Sequence, residues 1–276
     1  MDGTDLELLE RARVGDRVAL EALLVRHQRQ VYRFGLKMCR DEEDAKDVVQ
    51  ETLLAMARNV RDFRGASSVS TWLYSIARSF CIKKRRRSKF APEHEEPIGS
   101  VATEANSVVD PARLQDETLA SRQIEGALER AIASLDPMYR EILVLRDVEG
   151  LTAPEVAEVT GLTVEAVKSR LHRARVQVRE LVAPLLGVPE PVADLAETCP
   201  DVLELFSRHL EGEISTDVCA EMEAHLAKCG RCTARCESLQ KTLLLCKSSP
   251  APEVPARVQK SVREALRRFL SEPQRS

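Results

Sequence analysis

Residues Leu135–Leu181 read LDPMYREILVLRDVEGLTAPEVAEVTGLTVEAVKSRLHRARVQVREL, three helical periods parted by two short breaks. Asp136-Pro137 opens the first, with proline just inside the helix start, and Ile142, Leu143 and Leu145 give it an apolar face. Gly150-Leu151-Thr152 breaks it, and Thr152-Ala153-Pro154-Glu155 has the spacing of a capping box for a short second helix. Gly161-Leu162-Thr163 turns the chain into a third helix capped by Thr163. There Val167, Leu171, Ala174, Val178 and Leu181 recur at steps of four and three. The remaining positions of this helix carry Lys168, Ser169, Arg170, His172, Arg173, Arg175 and Arg179. Two short helices joined by a tight turn, the second strongly basic, describe a helix-turn-helix with a recognition helix. Its first-turn side chains, from Thr163 onward, are expected to meet base edges in the major groove, and its cations to meet phosphates.

Composition sets the frame for this segment. The chain has 276 residues, 4% aromatic and 31% charged, and alternating apolar–polar runs are nearly absent, so an all-α protein of two or three modules is expected. The net charge of −3 conceals segmentation. Residues 1–90 carry 19 basic and 13 acidic side chains, residues 91–125 carry 2 and 8, and residues 188–248 carry 6 and 11. Basic modules separated by an acidic linker and followed by an acidic extra unit fit a nucleic-acid-binding protein with an added domain. With no signal-peptide pattern and no long apolar run, a soluble cytoplasmic protein with no membrane partner is expected.

In chain order, residues 5–40 predict amphipathic helices with Leu6, Leu9, Leu20, Leu23, Leu24, Val31 and Phe34 inside. An acidic start at Asp41-Glu42-Glu43-Asp44 suits the positive end of the next helix. Ala45, Val49, Thr52, Leu53, Met56 and Val60 line that helix, and Asp44, Asp47, Gln50 and Glu51 form its polar face. After Phe63-Arg64-Gly65, a helix with Trp72, Leu73, Ile76, Ala77 and Phe80 runs into Lys83-Lys84-Arg85-Arg86-Arg87. Cations beside an aromatic surface are what an opened, single-stranded DNA segment requires. Residues 91–125, rich in proline and acids, predict a linker.

Past Pro189-Glu190-Pro191 a separate unit begins, and six of the eight cysteines lie within residues 199–246. That crowding favours a metal or redox site over structural disulfides. Cys199 together with His225-x3-Cys229-x2-Cys232 supplies three thiolates and one imidazole, the tetrahedral set that zinc favours. Cys219 and Cys236 are surplus thiols expected to approach the same ion or a second one, while Cys39 and Cys81 are expected in the core. A soft, thiol-rich site suits Zn²⁺, Cd²⁺ or Cu(I), and the lack of a Cys-x-Cys pair leans toward Zn²⁺ or Cd²⁺. The first helix of this unit is expected to hold Val202, Leu203, Phe206 and Leu210 inside, the third to carry Leu239, Leu243 and Leu244, and Thr216 or Asp217 to cap the second. The tail from Pro252 predicts one more amphipathic helix, with Val258, Val262, Leu266, Phe269 and Leu270 on one side, expected to pack on the metal-binding unit, the alternative being docking on the preceding modules, which would make it part of a switch.

The stretch DEEDAKDVVQETLLAMARNVRDFRGASSVSTWLYSIARSFCIKKRRR, residues 41–87, resembles region 2 of bacterial extracytoplasmic-function sigma factors, and residues 135–181 resemble their region 4. The cysteine unit resembles the zinc-binding domain of anti-sigma factors. Its fusion to a sigma factor is similar to the CorE type, whose cysteine-rich tails respond to copper in some members and to cadmium or zinc in others. The resemblance implies sigma region 2 over residues 1–90, a linker over 91–125, region 4 over 126–187, a metal-binding unit over 194–248 and a tail over 249–276. It also implies that the face with Asp44, Asp47, Gln50 and Glu51 docks on core RNA polymerase. Trp72, Lys83, Lys84, Arg85 and Arg86 would open the −10 element, and the Thr163 helix would read the −35 element of promoter DNA. Such factors do no chemistry, and this sequence has no glycine-rich phosphate loop or separate nucleophile–base pair. With the regulatory unit fused, a separate anti-sigma factor is not required. Two other readings share these residues: a thiol-redox sensor whose zinc leaves on oxidation, and a plain helix-turn-helix regulator with a structural zinc knuckle.

Overall fold

The computed structural model describes residues 4–63, 65, 67–88, 111–188 and 199–271. Among these residues there are helices and no strand, the all-α class expected. The first unit consists of α1 (Asp5–Arg13), α2 (Arg17–Cys39), α3 (Glu42–Asn59) and α4 (Val69–Ser88). Thr4 closes a capping box on α1, Asp16 caps α2 by accepting from the Val18 and Ala19 amides, and Asp41 caps α3. The three acids in the first turn of α3 sit at the positive end of its dipole. Helices α2 and α3 cross closely at Gly35, where an added Cβ would stand 3.3 Å from the Ala45 backbone. Leu23, Phe34, Val48, Val49, Leu53, Met56 and Leu73 are buried between α2, α3 and α4. Cys39 and Cys81 join this core, one half-buried and the other buried. Leu6, expected inside, is 61% exposed because α1 turns Leu8 and Leu9 inward instead.

The second unit contains α5 (Pro111–Ser134), α6 (Pro137–Leu143), α7 (Ala153–Thr160) and α8 (Val164–Val182). Helix α5 corrects the linker expected to reach residue 125. It starts at Pro111, where a fixed φ and a missing N–H suit the first helical position. Residues 91–110 of that linker lie outside the described residues. A π-turn over Val144–Val148 extends α6, and the Thr152–Glu155 capping box starts α7. Gly161 ends α7 in the left-handed region at φ 72°, and Thr163 caps α8 by accepting from the Ala166 amide. The α8 stripe is Val167, Leu171, Ala174, Val178 and Val182, all buried. Leu181, expected to complete it, is 54% exposed, because Val182, four residues after Val178, takes the inward position.

The remaining helices are α9 (Val202–Leu210), α10 (Thr216–Leu226), α11 (Gly230–Ser248) and α12 (Ala256–Ser271). Asp201 caps α9, and α10 is capped by Ser215, one residue before Thr216, the nearer of the two expected caps. Leu203, Leu239 and Leu243 pack with Phe206 and Val176, tying α9 and α11 to α8. Leu210 and Leu244 turn outward.

Helix α12 departs from expectation. It packs on α3, not on the cysteine unit. Its Val258, Val262 and Leu266 are buried, and Val262 and Leu266 share a groove with Leu24, Val25 and Leu53 of α2 and α3. The apolar stripe of a helix specifies that something must cover it and leaves the partner open. Here the partner is the first unit.

Candidate functional site

Four ligand residues meet at the junction of α9, α10 and α11. Cys199 stands just before α9, His225 lies in the last turn of α10, Cys229 is the N-cap residue of α11 and Cys232 is in its first turn. Their donor atoms lie within 4.8 Å of one another. The Cys199 and Cys229 sulfurs are 4.0 Å apart, close to the roughly 3.8 Å edge of a tetrahedron with Zn–S bonds of about 2.3 Å. The helix end explains the geometry. Lys228 and Cys229 both donate N–H to the His225 carbonyl at 3.0 Å, turning the chain sharply so that the imidazole and the first thiol face the same point.

The donor chemistry fits a cation. His225 Nε2 is buried and has no hydrogen-bond partner, an expensive arrangement unless a ligand takes its lone pair. The backbone N–H of Cys232, ahead of its side chain and the other nearby donors, holds the Cys229 thiol below its ordinary value. Burial, followed by the neighbouring Cys229 and Cys199 sulfurs, pushes Cys232 up to about 12. A shared cation would reverse that repulsion, since zinc deprotonates its thiols outright. Zn²⁺ here would be closed by four protein ligands and would supply folding stability.

The surplus thiols stand outside the four-residue group, although Cys236 packs beside Cys232. Cys236 is buried one turn beyond Cys232, and its Sγ donates to the Val202 carbonyl at 3.8 Å. Cys219 sits six residues before His225 on another side of α10, beside His209 and Glu223. Neither belongs to the four-residue group. Cys246 is buried against the second unit.

On α8, Thr163, Ser169 and Arg173 are exposed, and Lys168, Arg170 and His172 are half-buried. Arg175 is a correction: expected on the DNA face, it is 2% exposed. It donates to both oxygens of Asp147 at 2.9 and 2.7 Å, to Glu211 at 2.9 Å and to Ser207 Oγ at 3.0 Å. Being four residues after Leu171 and three before Val178, it lies on the buried stripe. Glu211 also binds Arg146 at 3.0 Å, and Glu213 binds Lys168 at 2.6 Å. The acidic end of α9 therefore holds three cations of the helix-turn-helix unit.

In the first unit, Trp72 stacks on Phe63 with ring centroids 4.5 Å apart, and Lys83 lies over the Phe80 ring at 5.3 Å. Arg85 and Arg86 are exposed. Lys84 pairs with Asp44 at 3.0 Å and also with Asp47. Gln50 accepts from the Ser261 hydroxyl of α12 at 2.7 Å, and Arg257 of α12 donates to Glu43 at 2.8 Å. Glu51 is exposed.

Sequence reasoning missed the carboxylates that join the units. Glu149 binds Arg33 and Tyr74, Glu141 binds Arg78 at 2.5 Å, and Glu155 accepts from Ser68 and Thr71. The available signal was an acid at Glu141, Asp147 and Glu149 inside a strongly apolar run.

This is a helical DNA-binding protein with two modules and a fused zinc-ligand unit. The Sigma-70 region 2 family matches residues 23–90, the Sigma-70 region 4 family matches residues 125–178, and a zinc-finger family matches residues 199–233. The ECF RNA polymerase sigma factor SigM of Mycobacterium tuberculosis is 32% identical over 179 residues, covering 65% of this chain and 85% of that protein. The RNA polymerase sigma-H factor of Pseudomonas aeruginosa is 32% identical over 188 residues, covering 66% and 95%. Among solved structures, CnrH in complex with the cytosolic domain of CnrY is 27% identical with a TM-score of 0.46, covering 65% and 97%. The chain belongs to the extracytoplasmic-function RNA polymerase sigma factors and carries a C-terminal anti-sigma-like domain. It acts in transcription initiation as a DNA-binding factor for core RNA polymerase at promoters, and it is not an enzyme. No helix among the described residues is long and apolar enough to cross a membrane.

Proposed function

We propose that this sigma factor is held in a closed form by its own C-terminal unit, and that metal binding to that unit controls its release. The observation that carries the reading is the double cover. Glu211 and Glu213 take Arg146, Arg175 and Lys168 of the helix-turn-helix unit, while α12 lies over Glu43 and Gln50 on α3. On this reading the α3 face with Asp44, Asp47, Gln50 and Glu51 is the polymerase-docking surface. Trp72 with the Lys83–Arg86 run engages the −10 element, and Thr163, Lys168, Ser169, Arg170, His172 and Arg173 engage the −35 element. A promoter-bound factor must present both modules to polymerase and DNA, so the closed form is the resting state. Zn²⁺ at Cys199, His225, Cys229 and Cys232 sets the shape of the inhibitory unit, and Zn²⁺, Cd²⁺ or copper is the signal, with Zn²⁺ or Cd²⁺ preferred. Cover and target share one chain, so a separate anti-sigma factor is not required.

The test is core RNA polymerase binding by the purified full-length protein, metal-free and then with Zn²⁺, Cd²⁺, Cu²⁺ or Cu(I). Binding that switches with one metal supports the reading. Binding and promoter-dependent transcription that are the same in every state sink it.

The 4.0 Å approach of the Cys199 and Cys229 sulfurs favours a second reading, in which oxidation joins these thiols and expels zinc. Zinc release with disulfide formation under mild peroxide distinguishes it from reversible exchange under reducing conditions.

A further inference from the structure

Far from the four-ligand group in sequence, two thiols touch inside the first unit. Cys39 is the last residue of α2 and Cys81 lies midway along α4, 42 residues further on, yet their sulfurs are 3.6 Å apart. Cys81 is 5% exposed, and Cys39 is half-buried. A disulfide holds its sulfurs at about 2.05 Å, so a closure of about 1.5 Å separates this contact from a bond. The end of α2 can supply it. Its final turn passes into Arg40, which sits in the left-handed region at φ 64° and donates one N–H to the Leu36 carbonyl at 3.1 Å. Contact with Cys39, followed by burial, holds the Cys81 thiol well above its ordinary value, so Cys81 stays protonated and shielded. Cys39 is therefore the sulfur that a small oxidant meets first.

We propose that Cys39 and Cys81 form a reversible disulfide under peroxide, an oxidant-responsive site in the first unit that is separate from the zinc thiols. The Cys39 sulfur attacks one oxygen of hydrogen peroxide, the O–O bond breaks, and a sulfenic acid and one water result. The Cys81 sulfur then attacks the Cys39 sulfur. The S–S bond forms as the S–O bond breaks, and the hydroxyl leaves with the Cys81 proton as a second water. Two thiols are oxidised, one peroxide is reduced, and a dithiol reductant reverses the bond by exchange. The location gives the pair its consequence. Arg78, three residues before Cys81, holds Glu141 of α6, and Lys84, three residues after it, pairs with Asp44 and Asp47 of α3. The disulfide fastens to α2 the same stretch of α4 that α3 and α6 hold by ion pairs. It thereby stiffens the helix that carries Trp72 and the Lys83–Arg86 run. The consequence for promoter opening, though not the disulfide, rests on the −10 reading above.

The experiment treats the full-length, zinc-loaded protein with hydrogen peroxide, alkylates it under denaturing conditions and maps the peptides by mass spectrometry. Zinc release is followed in parallel with a chromogenic chelator. A Cys39–Cys81 cross-linked peptide is expected while zinc stays bound, with a higher melting temperature and the return of both thiols on adding dithiothreitol. Cys81→Ala should lose the cross-link and leave Cys39 as a sulfenic or sulfinic acid. In the wild type, alkylation of both thiols after peroxide, or Cys39 carried to sulfinic acid with Cys81 free, overturns the pair. A cross-link confined to Cys199 and Cys229 with zinc lost also overturns it, and supports the redox reading of the zinc centre. A Cys39–Cys81 bond that leaves promoter opening unchanged keeps the site and removes its consequence for the −10 element.

Discussion

Arg33 of α2 grips Glu149 through two hydrogen bonds, Nε to Oε1 at 2.8 Å and Nη2 to Oε2 at 2.6 Å. The pair joins the first unit to the helix-turn-helix unit across 116 residues of sequence. The Glu149 side chain is 0% exposed and that of Arg33 14%. Tyr74 adds a third hydrogen bond to the same carboxylate at 2.6 Å, so both oxygens are satisfied. Fork-to-fork pairing fixes orientation as well as distance. Because the pair is desolvated, removing one member costs far more than an exposed pair contributes.

Glu149→Gln is expected to loosen the contact between the two modules by about 3 kcal/mol, at the lower end for breaking a buried pair. Arg33 would keep one acceptor oxygen on the amide together with the Val148 and Ser249 carbonyls, at 3.5 and 3.2 Å, and would lose the charge pairing and the second arm of the fork. Small-angle scattering checks this. A larger radius of gyration with unchanged helicity is the expected result, and an unchanged radius would show that other contacts hold the modules together.

Arg175 and Arg173 are two residues apart and should behave differently. Arg175→Ala leaves Asp147 and Glu211 buried without their common cation, costing about 3–5 kcal/mol and lowering the melting temperature. Arg173→Ala, at an exposed position, should leave stability alone and weaken promoter binding by the holoenzyme. If its contact is to phosphate, the log–log salt slope falls by about 1. Equal melting temperatures for the two variants would contradict this assignment.

Removing zinc with a strong chelator should unfold the α9–α11 region while α1–α4 and α5–α8 stay helical, because only the former depends on the four ligands. Hydrogen exchange read residue by residue checks this. Cys236→Ser should retain zinc, since its thiol donates to the Val202 carbonyl and is not among the four residues whose donors meet, although it packs beside Cys232. Zinc loss in that variant would place Cys236 among the ligands.

Val262 on α12 is 3% exposed against α2 and α3. Val262→Asp buries an unpaired carboxylate there, so the helix should detach and core polymerase should bind more tightly. Affinity equal to that of the wild type would mean that α12 does not compete with polymerase.

Local chemistry made much of this fold legible. Thr152 with Glu155, Thr163 and the spacing of Val167, Leu171, Ala174 and Val178 act within a few residues, so caps and stripe follow from sequence. The His225-x3-Cys229-x2-Cys232 run is legible for the same reason: a helix end and one turn bring its donors together. Arg175 was misread by charge, although its register places it on the stripe between Leu171 and Val178. The partner of α12 and the Arg33–Glu149 pair depend on how distant helices meet, which no local pattern encodes. Helix α5 was hidden by polar composition, since residues 111–125 hold few apolar positions.

Helix α12 and the α3 surface beneath it belong to one polypeptide. For a tethered segment the local concentration is set by the length of the connection, on the order of millimolar for short flexible tethers. The fraction of molecules with α3 covered is then the same whether a cell makes ten copies or ten thousand. A two-protein arrangement must match the supply of inhibitor to that of its target, and dilution at cell division disturbs the balance. If the closed form proposed above is the resting state, the stoichiometry is written into the gene, and the threshold for activation would follow the signal and not the supply of a second protein.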